Sequence, residues 1–282
     1  MELPGPLVPP EWLETALHDG VPGLAVVDVR WKLVGTAREA YEGAHIPGAA
    51  FIDLNADLSG PVRGYSGRHP LPSPQAFARA MERAGVGDDS LVVAYDDAGG
   101  SVASRLWWML AVTGHRVGVL DGGLQAWEGK TETGPPPKPP GGVTFTGRPW
   151  PVDRMATAEQ VNRLRRDPGT VVIDGRAAER YRGEAEPIDP VAGHIPGAVN
   201  VPWAENVDPA TGMFRTEDDL RKIYADKGAE DREVIVYCGS GTTACHNLLA
   251  LEAAGIKGAR LYVGSWSGWI ADGSRPMARG IE

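Results

Sequence analysis

The two halves of this 282-residue chain answer each other, and that constrains its fold more than its composition does. Val26 to Asp28-Val29-Arg30 is matched by Val171 to Asp174-Gly175-Arg176, and Ala44-His45-Ile46-Pro47-Gly48-Ala49 by Gly193-His194-Ile195-Pro196-Gly197-Ala198. Asp96, ending Val93-Ala94-Tyr95, stands 142 residues before Cys238, which ends Ile235-Val236-Tyr237; Trp127 and Trp269 are separated by the same 142. This spacing marks two copies of one domain, so each copy must close its own core within about 100–150 residues. Between them runs Gly134-Pro135-Pro136-Pro137-Lys138-Pro139-Pro140-Gly141-Gly142. Prolines without amide hydrogens exclude a helix interior or a central strand there and favour a stiff polyproline spacer. The expected boundaries are a first domain at 1–133, a linker at 134–151 and a second domain at 152–282.

Within each copy, strand patterns alternate with helix patterns. The first reads as a helix over 11–18, a strand at 24–29, a helix opened by Ser73-Pro74 and ending near Ala84, and a strand at 91–95. A helix over 101–112, a strand at 117–120 and a Gly122-Gly123 turn into 124–127 complete it. In the second, Thr157-Ala158-Glu159-Gln160 is a capping box, 171–174 and 234–237 are buried strands, and Thr216 caps a helix running toward Lys227. A last helix spans 243–254 before Gly255 stops it. The alternation predicts an α/β fold, a parallel sheet in each copy with helices on both faces. The polar, glycine-rich stretch from Asn55 to Pro72 fits neither pattern and reads as a functional loop.

Cys238 sits where a strand gives way to Gly239-Ser240-Gly241-Thr242-Thr243 and then a helix. Free N–H groups and the helix dipole favour an anion at such a place, and glycines let the backbone close around it. That setting shifts a thiol toward thiolate and makes Cys238 the candidate nucleophile, whereas a free cysteine elsewhere is usually an inert core residue. Cys245, seven residues on, packs on the following helix. Two cysteines at that spacing form neither a disulfide framework nor a zinc site. With a net charge of −9 the chain has no electrostatic footprint for nucleic acid or an anionic membrane, so an anionic substrate needs local cations. The N-terminal Met-Glu-Leu-Pro-Gly-Pro has no basic region leading into an apolar run, and nowhere do 18 apolar residues follow one another. The expected location is the cytoplasm.

The tandem repeat, the two His-Ile-Pro-Gly-Ala motifs, Arg105-Leu106-Trp107-Trp108-Met109 and Cys238-Gly239-Ser240-Gly241-Thr242-Thr243-Ala244 together resemble the two-domain rhodanese sulfurtransferases over nearly the whole chain. The loop is most similar to that of the 3-mercaptopyruvate branch, which typically reads Cys-Gly-Ser-Gly-Val-Thr-Ala; Thr242 is the departure. The resemblance implies that Cys238 carries the sulfur and that the first domain, with Asp96 in the cysteine's place, is silent. It also implies that Arg180 binds substrate, whereas Arg176, repeated by Arg30, is structural, as are His45 and His194, present in both copies. His69 aligns with a histidine thought to act with the loop serine and an aspartate. Asn55 stands at that aspartate's place, leaving Asp53 or Asp57 as substitutes, and Ile188 stands where the branch commonly has a second arginine.

The expected chemistry is a two-step transfer of sulfane sulfur through a Cys238 persulfide, held by the N–H groups and hydroxyls of Gly239, Ser240, Gly241, Thr242 and Thr243. It calls for no metal or organic cofactor. The donor is 3-mercaptopyruvate or thiosulfate, the acceptor cyanide, a small thiol or a thioredoxin-like dithiol, with no nucleic-acid or membrane partner. A loop offering only a hydroxyl and N–H groups suits the singly charged donor, since thiosulfate-using vertebrate relatives place cations directly after the cysteine. Arg180, taken as an exposed arginine, is expected to matter for binding and little for stability. A phosphatase on the same fold needs an arginine six residues after the cysteine, where this chain has Ala244. The alternative is a non-enzymatic sulfur-carrier or binding module of rhodanese fold.

Overall fold

Short runs of β-branched and aliphatic residues, buried on both faces, build a parallel sheet in each copy, and the intervening segments return the chain to the same edge. The computed structural model describes residues 2–32, 36–138 and 142–281; positions 139–141 of the proline-rich spacer lie outside the described residues. The first copy runs β1 (Leu7–Val8), α1 (Pro10–His18), β2 (Leu24–Arg30), α2 (Ala37–Gly43), β3 (Ala50–Asp53), α3 (Pro74–Arg83), β4 (Leu91–Tyr95), α4 (Ala103–Val112), β5 (Arg116–Leu120) and α5 (Gly123–Ala126). Its five strands lie in the order β1-β5-β4-β2-β3, all pairs parallel. The second runs α6 (Ala158–Leu164), β6 (Thr170–Asp174), α7 (Ala178–Arg182), β7 (Val199–Asn200), α8 (Glu217–Ala225), β8 (Glu233–Tyr237), α9 (Thr243–Ala253), β9 (Arg260–Leu261) and α10 (Ser265–Ala271). Its order, β7-β6-β8-β9, is the order β3-β2-β4-β5 of the first copy. The α/β expectation holds in both.

Two sequence motifs lock each sheet in the same way. Arg30 grips Asp28 with Nε at 2.9 Å and Nη2 at 2.6 Å, then donates to the Ala44 carbonyl; Arg176 grips Asp174 at 3.1 and 2.6 Å and donates to the Gly193 carbonyl. These arginines are structural, as their repetition predicts. His45 Nδ1 lies 2.9 Å from the Tyr41 carbonyl and His194 Nδ1 2.8 Å from that of Tyr181, each ring stacked on the same tyrosine. The next residue, Ile46 or Ile195, donates its N–H to the hydroxyl of Tyr95 or Tyr237 on the central strand. Both histidines therefore hold a turn, buried at 1% and 0% exposure.

Helix starts follow side-chain chemistry. Thr157 and Gln160 form the expected capping box, and Ser73 and Thr216 cap α3 and α8. A second capping box, Thr36 with Glu39, opens the unexpected α2. The helix expected from residue 101 begins at Ala103, and the Asp96 carboxylate accepts the N–H groups of Val102 and Ala103 at its start, which have no partner within the helix.

Contacts do not follow chain order strictly. Residues 61–71 pack into the second compact unit, whereas 72–150 and 209–214 belong to the first. Gly67 explains the first exchange: at φ +80° it presses its backbone on Gly264, where a Cβ would collide with the Gly264 carbonyl, and Arg68 N–H then reaches Ser267 Oγ at 3.1 Å. In the expected 134–151 linker, Phe145 is buried in the first unit, edge-on to Phe77 and stacked on His115. Among the described residues no helix is long and apolar enough to cross a membrane.

Candidate active site

In the second sheet the chain leaves β6 for one side and returns to β8 on the other, so the carboxyl ends of β6 and β8 flank a topological switch point, where open α/β sheets bind ligands. Asp174 and Tyr237, the last paired residues of the two strands, lie opposite each other. Arg176 and Arg180 follow the first; Cys238 follows the second.

Cys238 is 2% exposed, and its surroundings are built from backbone. Its N–H donates to Ser265 Oγ at 3.1 Å, and its carbonyl accepts the Trp266 N–H at 2.9 Å. Gly241 N–H points at the sulfur, 3.1 Å away. Burial by itself pushes the thiol's pKa up. The Thr243 hydroxyl, with the N–H groups of Ser240, Ala244 and Gly241, favours the thiolate and outweighs it, so the net pKa is lowered. Ser265, which holds the Cys238 N–H, has φ +51°, the one positive value outside glycine among the described residues. Strain of this kind concentrates at functional sites.

Ser240 and His69 meet: Nδ1 of the histidine lies 2.8 Å from the serine Oγ and 3.4 Å from Thr242 Oγ1. Ser240 and Thr242 are buried at 7% exposure each. Asp53 Oδ1 accepts the Asn55 and Ala56 N–H groups at 2.8 and 2.9 Å, while Asp57 binds Arg83 Nη2 at 2.6 Å and the Asp53 N–H at 2.9 Å. Both aspartates are thus engaged in closing their own turn.

Arg180 differs from the exposed arginine expected. Its side chain is 15% exposed and donates to Glu186 through Nε at 3.1 Å and Nη2 at 2.7 Å, and through Nη2 to Asp189 at 3.1 Å. Glu186 and Asp189 are 4% and 2% exposed, so removing Arg180 strands buried charge and costs stability. The other oxygen of Asp189 pairs with Arg68. Both guanidiniums face Gly239: a Cβ there would lie 3.0 Å from Arg68 Nη2 and 3.4 Å from Arg180 Nη2. The loop therefore has cations beside it after all, brought from two other segments. Burial lowers the Arg68 pKa, partly offset by the Cys238 thiolate.

Sequence reasoning missed five contributors. The adjacency of Arg68 to His69 was the available signal for the first. Glu186 and Asp189 were readable only as partners of a known arginine. Nothing in the sequence marks Ser265 as a left-handed serine or Ala244 as an N–H donor to the sulfur. Cys245 lies behind the loop, its Sγ 3.3 Å from the Gly241 carbonyl. Among the described residues no three His, Cys, Asp or Glu side chains gather as metal ligands.

Comparison with known proteins places this geometry. A family model described as the rhodanese-like domain matches residues 9–130 and again 157–272. A Pseudomonas aeruginosa protein named "Probable 3-mercaptopyruvate sulfurtransferase" is 45% identical over 269 residues, 92% of this chain and 93% of that protein. The "Thiosulfate sulfurtransferase" of Cricetulus griseus is 36% identical over 281 residues, 94% of this chain and 91% of that protein. The crystal structure of SseA from Escherichia coli, solved in work on 3-mercaptopyruvate sulfotransferases, superposes with a TM-score of 0.80 at 33% identity, covering 93% of this chain and 99% of that one.

Proposed function

The chain belongs to the rhodanese family, and from that premise we propose that it is a sulfurtransferase in which Cys238 takes sulfane sulfur from a small anionic donor and yields it to a thiophilic acceptor. The observation that carries the reading is the buried Cys238 thiol, whose pKa is lowered by one hydroxyl and three N–H groups beside two arginines. Residues 152–282, with Arg68 and His69 from the 61–71 loop, carry the chemistry; the first copy, with Asp96 at the sulfur position, is silent.

With 3-mercaptopyruvate, the Cys238 thiolate attacks the thiol sulfur and the carbon–sulfur bond breaks. The electron pair leaves on carbon as the pyruvate enolate, which takes up a proton, and Cys238 becomes a persulfide. With thiosulfate the sulfur–sulfur bond breaks instead and sulfite carries the pair away. Cyanide or a thiolate then attacks the outer sulfur, giving thiocyanate or a new persulfide and restoring the Cys238 thiolate. The N–H groups around Sγ stabilise thiolate and persulfide anion alike. No step calls for a metal or organic cofactor.

We assign 3-mercaptopyruvate as the preferred donor. Ser240, bonded to His69, can donate to the substrate carbonyl as enolate character develops, and thiosulfate has no carbonyl to use it. The arginines give a compact dianion little advantage, because Arg68, Arg176 and Arg180 are balanced by Asp174, Glu186 and Asp189. The acceptor is a small thiol or thioredoxin-like dithiol, with cyanide serving in assay. Two free cysteines fit the cytoplasm, where thiols stay reduced. Steady-state rates with each donor against cyanide and a dithiol test this, alongside mass spectrometry of the donor-treated protein. The expectation is one added sulfur on the Cys238 peptide and a higher kcat/KM for 3-mercaptopyruvate. Sulfur found on Cys245 defeats the nucleophile assignment, and a higher kcat/KM for thiosulfate defeats the donor assignment.

A further inference from the structure

Arg68 lies against the Cys238 loop, and its task there can be stated more closely. Arg68 follows Gly67, whose close approach to Gly264 fixes the loop's path, and its backbone is tied to Ser267 Oγ at 3.1 Å. Its Nη1 pairs with Asp189, the carboxylate that also takes Arg180 Nη2. One buried aspartate therefore clips two guanidiniums side by side. Among the described residues, neither Arg68 Nη2 nor Arg180 Nη1 is engaged by those carboxylates. Both lie toward the space that Gly239 leaves, 3.0 and 3.6 Å from where its Cβ would be. An anionic group entering beside the sulfur meets two planar donors at once, an arrangement suited to a carboxylate.

We infer that Arg68 is the second cation of the donor site, closing with Arg180 on the donor's anionic group over Gly239. This rests on the sulfur-transfer reading but makes a separate claim, that selectivity for anionic reagents at Cys238 depends on a residue outside the catalytic sheet. Ile188, 50% exposed on the rim, supplies no charge, so the cation comes from the 61–71 loop instead. Arg68 acts on binding, while Cys238 performs the transfer.

The test compares alkylation of Cys238 by iodoacetate and by neutral iodoacetamide, followed by peptide mass spectrometry, in the wild type and in Arg68→Gln and Arg68→Lys. Arg68→Gln should lower the iodoacetate-to-iodoacetamide rate ratio about tenfold or more, with the iodoacetamide rate falling far less than the iodoacetate rate. Arg68→Lys, which keeps charge but not the fork, should recover part of the ratio. In turnover, kcat/KM for 3-mercaptopyruvate should fall by a similar factor, mainly through KM. An unchanged ratio, or an equal slowing of both reagents, overturns the assignment; the second outcome marks Arg68 as a structural support. Should the wild type turn over neither donor, the sulfurtransferase reading fails, yet the alkylation ratio still decides Arg68.

Discussion

The loop after β4 and the loop after β8 are the same device holding two different anions. Asp96 collects the N–H groups of Ala98 and Gly100 on one oxygen, both at 2.8 Å, and those of Val102 and Ala103 on the other, at 2.7 and 2.8 Å. Cys238 is met by the N–H groups of Ser240, Gly241 and Ala244 and by the Thr243 hydroxyl. Each loop closes alike, with Leu124 N–H on the Asp96 carbonyl at 2.8 Å and Trp266 N–H on that of Cys238 at 2.9 Å. A cradle of N–H groups thus accepts a carboxylate as readily as a thiol. In the first copy it is filled by a fixed carboxylate, which burial pushes above the usual carboxylate range despite four N–H donors. The rims differ more. Asp97, paired with Lys32, occupies the place of Gly239, and Ala40 precedes Tyr41 where Arg180 precedes Tyr181. One rim thus carries Asp97, and the other two arginines with the buried carboxylates that hold them.

Four substitutions break or sharpen that contrast. The largest effect is expected from Cys238→Ser, which should lower transfer by at least about 10³-fold while thermal unfolding stays close to wild type. Adding Asp96→Cys to that variant should not restore transfer, because the first rim lacks the arginines; recovered turnover would show that the cradle suffices. Next comes Gly239→Asp, which writes the first copy's rim into the second. Its Cβ would lie 3.0 Å from Arg68 Nη2 and 3.4 Å from Arg180 Nη2, contacts with side-chain ends that a small shift relieves, so the fold should persist. Its carboxylate would pair with both, and kcat/KM for either anionic donor should fall about 100-fold, roughly the worth of one or two charge-assisted bonds. Unchanged KM values would mean that neither arginine meets the donor.

The smallest effect is expected from Thr243→Val, which removes the leading group that favours the thiolate. Alkylation of the wild type by iodoacetamide should show its inflection below that of an ordinary thiol. The variant's inflection should move upward, with a rate about tenfold lower near pH 7 and convergence above about pH 9. The sign for stability follows from the lowered pKa. The thiolate stabilises the folded chain above the ordinary thiol pKa, and that contribution is lost as pH falls through the folded value. Thr243→Val should weaken this dependence. An inflection that does not move would transfer the whole effect to the N–H groups.

Much of this molecule was legible in the sequence because its constraints are local or repeated. The spacing of Asp96 and Cys238, the apolar runs of β4 and β8, and the caps at Ser73, Thr157 and Thr216 each act within a few residues or recur, so two copies, their parallel sheets and the place of Cys238 at the end of a strand could be read directly. The Asp-x-Arg pairs and both histidines could be called structural for the same reason: they recur in both copies, and in both they make the same contacts. Tertiary structure alone decided the rim. Arg68 reaches Gly239 because Gly67 and Gly264 let two backbones touch, and Arg180 is held by Glu186 and Asp189 rather than by solvent. Ser265 aims its hydroxyl at Cys238 from a left-handed backbone. Such contacts join residues far apart in the chain through close packing and charge balance, and no local propensity encodes them.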